Sequence, residues 1–144
     1  MKDIKLQKQL INLRILLEKI CDGFDAKDAN KKSVLTMKHK VLFALYENGE
    51  TSPSYLINKL CIAKSNLALL CKGLQEEGLI TSQKNESDKR NITYKLTNKG
   101  ENYLNKFLQT MSQENDYLTK NEKEVKIIEK KLDDVINFLN KKVW

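Results

Sequence analysis

From Leu6 the apolar residues Leu6, Leu10, Leu13, Leu17, Ile20 and Phe24 recur at alternating spacings of four and three. That spacing puts them on one stripe of a long helix. A second stripe, Val125, Ile128, Leu132, Val135 and Leu139, follows Thr119-x-x-Glu122 and Asn121-x-x-Glu124, either of which can form a capping box. Each stripe covers less than three heptads, and each helix also has apolar residues off its stripe: Ile11 and Cys21 in the first, Ile127 and Ile136 in the second. Wide stripes on helices at both ends of a chain need cover, which favours pairing between chains over packing within one. Leu6, Leu10, Leu13, Leu17, Val125, Ile128, Leu132, Val135 and Leu139 are therefore the expected dimerisation residues.

Between the stripes the pattern breaks into short pieces. Residues 22–35 read as a loop or a short irregular helix, after which Thr36 caps a helix running to Asn48, where Gly49 stops it. Ser52-Pro53 is an N-cap followed by proline at the first helical position, opening a short helix with Leu56, Ile57 and Leu60 inward. After a turn at Cys61-Ile62, a helix over 63–77 carries Leu67, Leu70, Cys71 and Leu74 on its inner face and ends at Gly78. The period then changes. Leu79-Ile80 leads into TSQKN, a polar tip at 86–89, and Ile92, Tyr94 and Leu96 alternating with Asn91, Thr93 and Lys95, which predicts a β-hairpin. Thr97 caps a further helix, with Leu104, Phe107, Leu108 and Met111 inward, expected to reach about Leu118. The fold class is mainly α with a small β-wing.

A length of 144 residues suits one domain of ordinary size, and 40% hydrophobic with 31% charged residues suits a packed core with a solvated surface. No apolar run approaches the roughly 20 residues that span a bilayer, and MKDIKLQKQL has charges where a signal peptide needs an apolar stretch. The expected address is cytoplasmic, with no membrane partner. Cys21, Cys61 and Cys71 are odd in number and widely spaced, so reduced thiols are expected, and with one histidine no metal-ligand cluster or metal cofactor is implied. Cys71 and Cys61 read as packing residues, and His39 as a partly exposed surface histidine. No Gly-rich phosphate loop or nucleophile elbow is present, which argues against an enzyme. The net charge of +7 is unevenly placed: +3 over residues 1–35, +4 over 36–100 and zero over 101–144. A polyanionic partner such as nucleic acid is admitted, though not required, by that excess.

Helix, short helix, turn, helix and charged hairpin is the order of a winged helix-turn-helix. With its inner stripe buried, the 63–77 helix leaves Lys64, Ser65, Asn66, Ala68, Leu69 and Lys72 outward, most of the polar ones in the first turn that a recognition helix presents to base edges. In this register the sequence resembles the MarR (multiple-antibiotic-resistance regulator) family of bacterial transcription factors. The resemblance covers nearly the whole chain and rests on Leu35-Thr36, the segment LCIAKSNLALLCKGLQEEGLI (60–80), the wing signature Asp88-Lys89-Arg90, and Leu96-Thr97-Asn98-Lys99-Gly100.

The resemblance implies a homodimer joined by its terminal helices, with recognition helices in successive major grooves of double-stranded DNA. It places Lys64, Ser65 and Asn66 where the family reads bases or holds phosphates, Asp88 where an acid braces the wing, and Arg90 where an arginine enters a minor groove. Lys72 and Lys89 are further candidate contacts. Ala68 and Leu69 stand where family members often have polar or basic residues, so a thymine methyl contact could replace a hydrogen bond there. Some members sense oxidants through an N-terminal cysteine, but the acids of CDGFD around Cys21 would raise its pKa.

The expected organisation is a single domain over 1–144, with a DNA-binding lobe at 36–100 and dimerisation helices in 1–35 and 101–144. The expected function is that of a sequence-specific regulator, a repressor on a pseudo-palindromic operator, modulated by a small-molecule effector whose residues the sequence does not identify. The alternative is a winged-helix protein-interaction module that dimerises without specific DNA binding, with Ala68 and Leu69 as its apolar docking face.

Overall fold

The computed structural model describes residues 4–22, 33–84, 87 and 91–143. Six helices and one hairpin follow in order: α1 (Ile4–Cys21), α2 (Met37–Asn48), α3 (Pro53–Leu60), α4 (Lys64–Glu76), β1 (Ile80–Lys84), β2 (Ile92–Leu96), α5 (Asn98–Glu114), a 3₁₀ turn (Asp116–Leu118) and α6 (Glu122–Val143). The mainly helical class with a small wing is the observed one. By contact the chain separates into two compact units, Met1–Met111 and Ser112–Trp144.

In the first unit, short-range chemistry sets the helix ends. The Ser52 side chain accepts from the Tyr55 N–H with Pro53 at the first helical position, and Gly49 closes α2 at φ +73° with its N–H on the Leu45 carbonyl. Cys61 ends α3 in the left-handed region at φ 51°. Contrary to the expectation of a packing residue, its thiol is exposed, because the left-handed residue lies outside the helix and α3's inner side ends at Leu60. The core is built from Val41, Leu42, Ala44 and Leu45 of α2, Leu56 of α3, Leu67, Cys71 and Leu74 of α4, Leu79 and Ile80, Tyr94 of β2 and Leu104 of α5. Cys71 is packed as expected; burial pushes its thiol up to about 11, against a smaller opposing effect of the Tyr94 hydrogen bond.

The hairpin pairs antiparallel with Ile80 opposite Leu96 and Lys84 opposite Ile92. Its other edge is also used, since Thr51 and Tyr94 exchange both backbone hydrogen bonds, at 3.0 and 2.8 Å, and the Thr93 hydroxyl donates to Glu50. The α2–α3 turn thereby anchors β2. Thr97 joins the hairpin to α5: its hydroxyl donates to the Gly78 carbonyl at 2.7 Å and accepts from the Gly100 N–H at 3.0 Å. A Cβ at Gly100 would overlap the Leu79 carbonyl oxygen and come within 2.8 Å of Leu96 Cδ1. The T-x-x-G spacing at 97–100 is thus a steric requirement of the junction.

Two boundaries differ from the sequence reading. The helix begun at Thr97 ends at Glu114, and the stretch to Leu118 is a separate 3₁₀ turn, since Asn115 leaves helical geometry at φ −102°, ψ 24°. The first helix ends at Cys21, and Phe24 lies outside the described residues. In the second unit, Asn121 caps α6, its side-chain oxygen accepting from the N–H groups of Lys123 and Glu124. Thr119 instead turns back to the Asp116 carbonyl, which decides between the two capping candidates.

Candidate nucleic-acid interface

Helix α4 holds the sequence-predicted contacts on one face. Leu67, Cys71 and Leu74 are buried, whereas Lys64, Ser65, Asn66, Ala68, Leu69 and Lys72 are all exposed. With 3.6 residues per turn, Ser65, Leu69 and Lys72 project from the side opposite the buried stripe. The N-cap residue is Ala63, and it offers no side-chain cap hydrogen bond. The orphan N–H groups of the first turn therefore retain capacity for an outside acceptor, and their partial positive charge adds to that of Lys64. This is the arrangement that accepts a phosphate at a helix N-terminus.

The wing supplies a second element. Asp88, Lys89 and Arg90 lie outside the described residues. The strands that carry the tip present Lys84 and Lys95 exposed. These two cations were not singled out from the sequence, although Lys95 stands on the polar side of the alternation that predicted the hairpin.

A groove of about 690 Å³ runs beside α4, walled by Met37, Ile62, Leu69, Leu70 and Leu74 with Lys38, Asn66 and Glu77 as polar members. Lys38 is held there by Glu77 at 2.9 Å and lies 4.7 Å from the Tyr103 ring centroid. Although burial alone would lower it, the hydrogen bonds to Glu77 and Tyr103 leave its pKa raised. A separate cleft of about 540 Å³ lies between α1 and the start of α2, with Leu10, Leu13, Leu17 and Leu35 beside Arg14, Glu18, Asp22 and Lys40.

His39, at the third position of α2, is placed with more purpose than a surface histidine. Its Nδ1 accepts from the Thr36 N–H at 3.2 Å and is 2.8 Å from the Thr36 hydroxyl. Its ring stacks on Phe107 with centroids 3.8 Å apart. Among the described residues no group of three or more His, Cys, Asp or Glu side chains could hold a metal ion, and no helix is long and apolar enough to cross a membrane.

A helix-turn-helix whose second helix is exposed along its outer face, backed by a two-stranded hairpin, defines a winged helix-turn-helix protein. The family model described as MarR family matches residues 37–92, from the start of α2 to the start of β2. That match covers the helix-turn-helix and agrees with the resemblance read from the sequence. Over 72 residues it is 29% identical to the HTH-type transcriptional regulator FarR of Neisseria gonorrhoeae, covering 50% of this chain and 49% of that one. The chain thus spans about half the length of that relative. Solved structures match the fold over nearly the whole chain. A MarR family protein from Bacillus stearothermophilus has a TM-score of 0.71 at 17% identity, covering 97% of this chain and 99% of that one. The transcriptional regulator BldR from Sulfolobus solfataricus has a TM-score of 0.65 at 21% identity, covering 98% and 99%. A mutant of MarR from E. coli, solved in complex with operator DNA, has a TM-score of 0.60 at 21% identity, covering 92% and 94%.

Proposed function

We propose that this protein is a sequence-specific DNA-binding transcriptional regulator, a homodimeric repressor acting on a pseudo-palindromic operator, and not an enzyme. The observation that carries the reading is the outer face of α4, where exposed Lys64, Ser65 and Asn66 surround an N-terminus without a side-chain cap. Lys64 and the free N–H groups suit phosphate, while Ser65 and Asn66 have the donors and acceptors that read base edges. Lys72 is assigned to further backbone, and Arg90, with Asp88 and Lys89, takes the minor-groove role that the family resemblance implies. The E. coli relative bound to operator DNA supports this assignment.

In this reading the domain is single over 1–144, the lobe at 36–100 binds DNA, and 1–35 with 101–144 form the dimer through the stripes of α1 and α6. Support comes from exposure: Leu6, Leu10 and Leu17 are 38–47% exposed and Ile128, Leu132, Val135 and Leu139 are 36–50% exposed. A small-molecule effector would act from the cytoplasm between the dimerising helices and the lobe. The cleft between α1 and the start of α2, with leucine walls and Arg14, Glu18, Asp22 and Lys40 as its charged members, is the candidate for that site.

The test is selection of bound fragments from random duplexes. The expected product is a palindrome with half-site centres about 34–36 Å apart, bound with an affinity that falls steeply with salt. The exposure of Leu69 favours a second reading, a protein-docking module. A flat salt dependence or equal affinity for every duplex would overturn the DNA-binding reading and point to that alternative.

A further inference from the structure

Leu69 leaves 73% of its surface in solvent; among the described residues, only Val143, at 77%, is a more exposed large apolar residue. The helix itself explains the direction. Leu69 stands two residues from both Leu67 and Cys71, which are buried, so it projects about 200° around the axis from each. Its neighbours one turn away on the same face are Ser65 and Lys72, with Ala68 beside it, all exposed. A large apolar side chain therefore sits in the second turn of a face otherwise made of small, polar and cationic groups.

This inference rests on the DNA-binding reading above and asks what that face meets in a major groove. Base edges there present hydrogen-bond donors, acceptors and one apolar group, the C5-methyl of thymine. Leucine has neither a donor nor an acceptor. Pressed against the edge of G, C or A, it would strip water from polar atoms without replacing the hydrogen bonds, which is unfavourable. Against a thymine methyl it buries apolar surface on both sides. We propose that Leu69 is a specificity-determining residue that packs on the 5-methyl group of one thymine in each half-site, while Ser65 and Asn66 read neighbouring edges by hydrogen bonds.

The contact is worth about one buried methyl, roughly fourfold in affinity per half-site, and the two half-sites together should give roughly tenfold or more. The test takes the selected operator and replaces each thymine, symmetrically in both half-sites, by deoxyuridine, which keeps base pairing and removes only the methyl. A parallel set carries 5-bromodeoxyuridine, whose bromine restores the bulk. The wild type should lose about tenfold at one symmetric thymine pair and recover with bromine. Leu69→Ala, whose melting curve should match the wild type because the residue is exposed, should bind the thymine operator as weakly as the wild type binds the uracil one. It should also be indifferent to the exchange.

Operator binding that is salt-dependent yet unaffected by deoxyuridine at every thymine overturns this proposal and leaves the regulator reading standing. The same result follows if Leu69→Ala keeps the wild-type sensitivity. Leu69→Ala binding the operator as tightly as the wild type also overturns it. A chain that selects no duplex at all removes both readings.

Discussion

Replacing His39 tests whether an imidazole can serve as the reciprocal half of a capping box. Two contacts set the magnitude. The Thr36 N–H loses its acceptor at 3.2 Å, a loss of about 1 kcal/mol for a helix cap, and the stack on Phe107 at 3.8 Å contributes about 0.5–1.5 kcal/mol. His39→Ala should therefore destabilise the protein by about 2 kcal/mol, lowering Tm by roughly 5–10 °C. His39→Gln keeps an acceptor that can reach the Thr36 N–H and should lose only the stacking part.

Acid should have a related effect. Burial, and secondarily the positive charge of Lys38, hold the His39 pKa below its ordinary 6.5. The neutral ring is the form in which Nδ1 accepts from Thr36, with the proton on Nε2. The groups around it are Thr36 before its own helix, Lys38 on it, and Tyr103 and Phe107 on α5, none of them an anion that would favour imidazolium. A depressed folded-state pKa means that the unfolded chain binds the proton more readily, so stability rises with pH through this window. The contribution is complete above pH 6.5 and is lost as pH falls through the lower folded value. This is the only histidine in the chain, so a slope between pH 7 and 5.5 can be traced to it. Chemical denaturation across that range should show stability falling with acid in the wild type and a flatter profile in His39→Gln. Parallel profiles for the two proteins would refute the argument.

Two glycines should respond in opposite directions: Gly73→Ala, where a Cβ meets nothing within 4 Å, should raise stability by about 1 kcal/mol, whereas Gly100→Ala, which collides with Leu79 and Leu96, should cost more than about 3 kcal/mol or prevent soluble expression, as thermal melts will show. Leu13→Asp with Leu132→Asp places charge in both stripes and should convert a dimer to a monomer at micromolar concentration; an unchanged dimer in sedimentation would exclude these stripes from the seam. Arg90→Ala should weaken binding mainly through A·T-rich flanks, while Ser65→Ala with Asn66→Ala should relax preference within the half-site by about 1–3 kcal/mol. Competition titrations with flank-mutated and core-mutated operators separate the two, and equal losses on every duplex would abolish the division of labour.

What the sequence made legible was local. Ser52-Pro53, Gly49 and Thr97 mark helix ends by groups within a few residues of the backbone they satisfy, and the period of Leu67, Cys71 and Leu74 identifies the buried side of α4 from spacing alone. What it left illegible joins distant segments. Nothing near Thr51 announces its bridge to Tyr94, because an isolated pair has no period to display. His39 reads as a surface residue until α5 brings Phe107 against it. The end of α5 was misplaced for a related reason: the apolar spacing continues through Leu118, but side-chain periodicity does not report the backbone turn at Asn115. In the candidate site, the outward face of α4 followed directly from its inward face. Lys84 and Lys95 were passed over because lysines are common in this chain and only the strand register shows which of them flank the wing.

The terminal helices raise a question that one seam does not answer. Neither α1 nor α6 has a buried residue among those described. Apolar side chains also lie off the heptad stripes and are more exposed than those on them: Ile11, Ile15 and Leu16 at 58–61%, and Ile127, Ile136 and Phe138 at 52–58%. A contact between two helices covers one stripe of each. Covering the remaining apolar surface requires each helix to meet more than one neighbour, as in a bundle rather than a simple zipper. On the dimer reading, such a bundle would bury large apolar area on each chain and make the assembly obligate, because separating the protomers would expose every one of these side chains to water. On the same reading, an obligate assembly would also give a fixed half-site spacing a physical basis, since protomers that do not separate would offer the DNA one spacing of recognition helices.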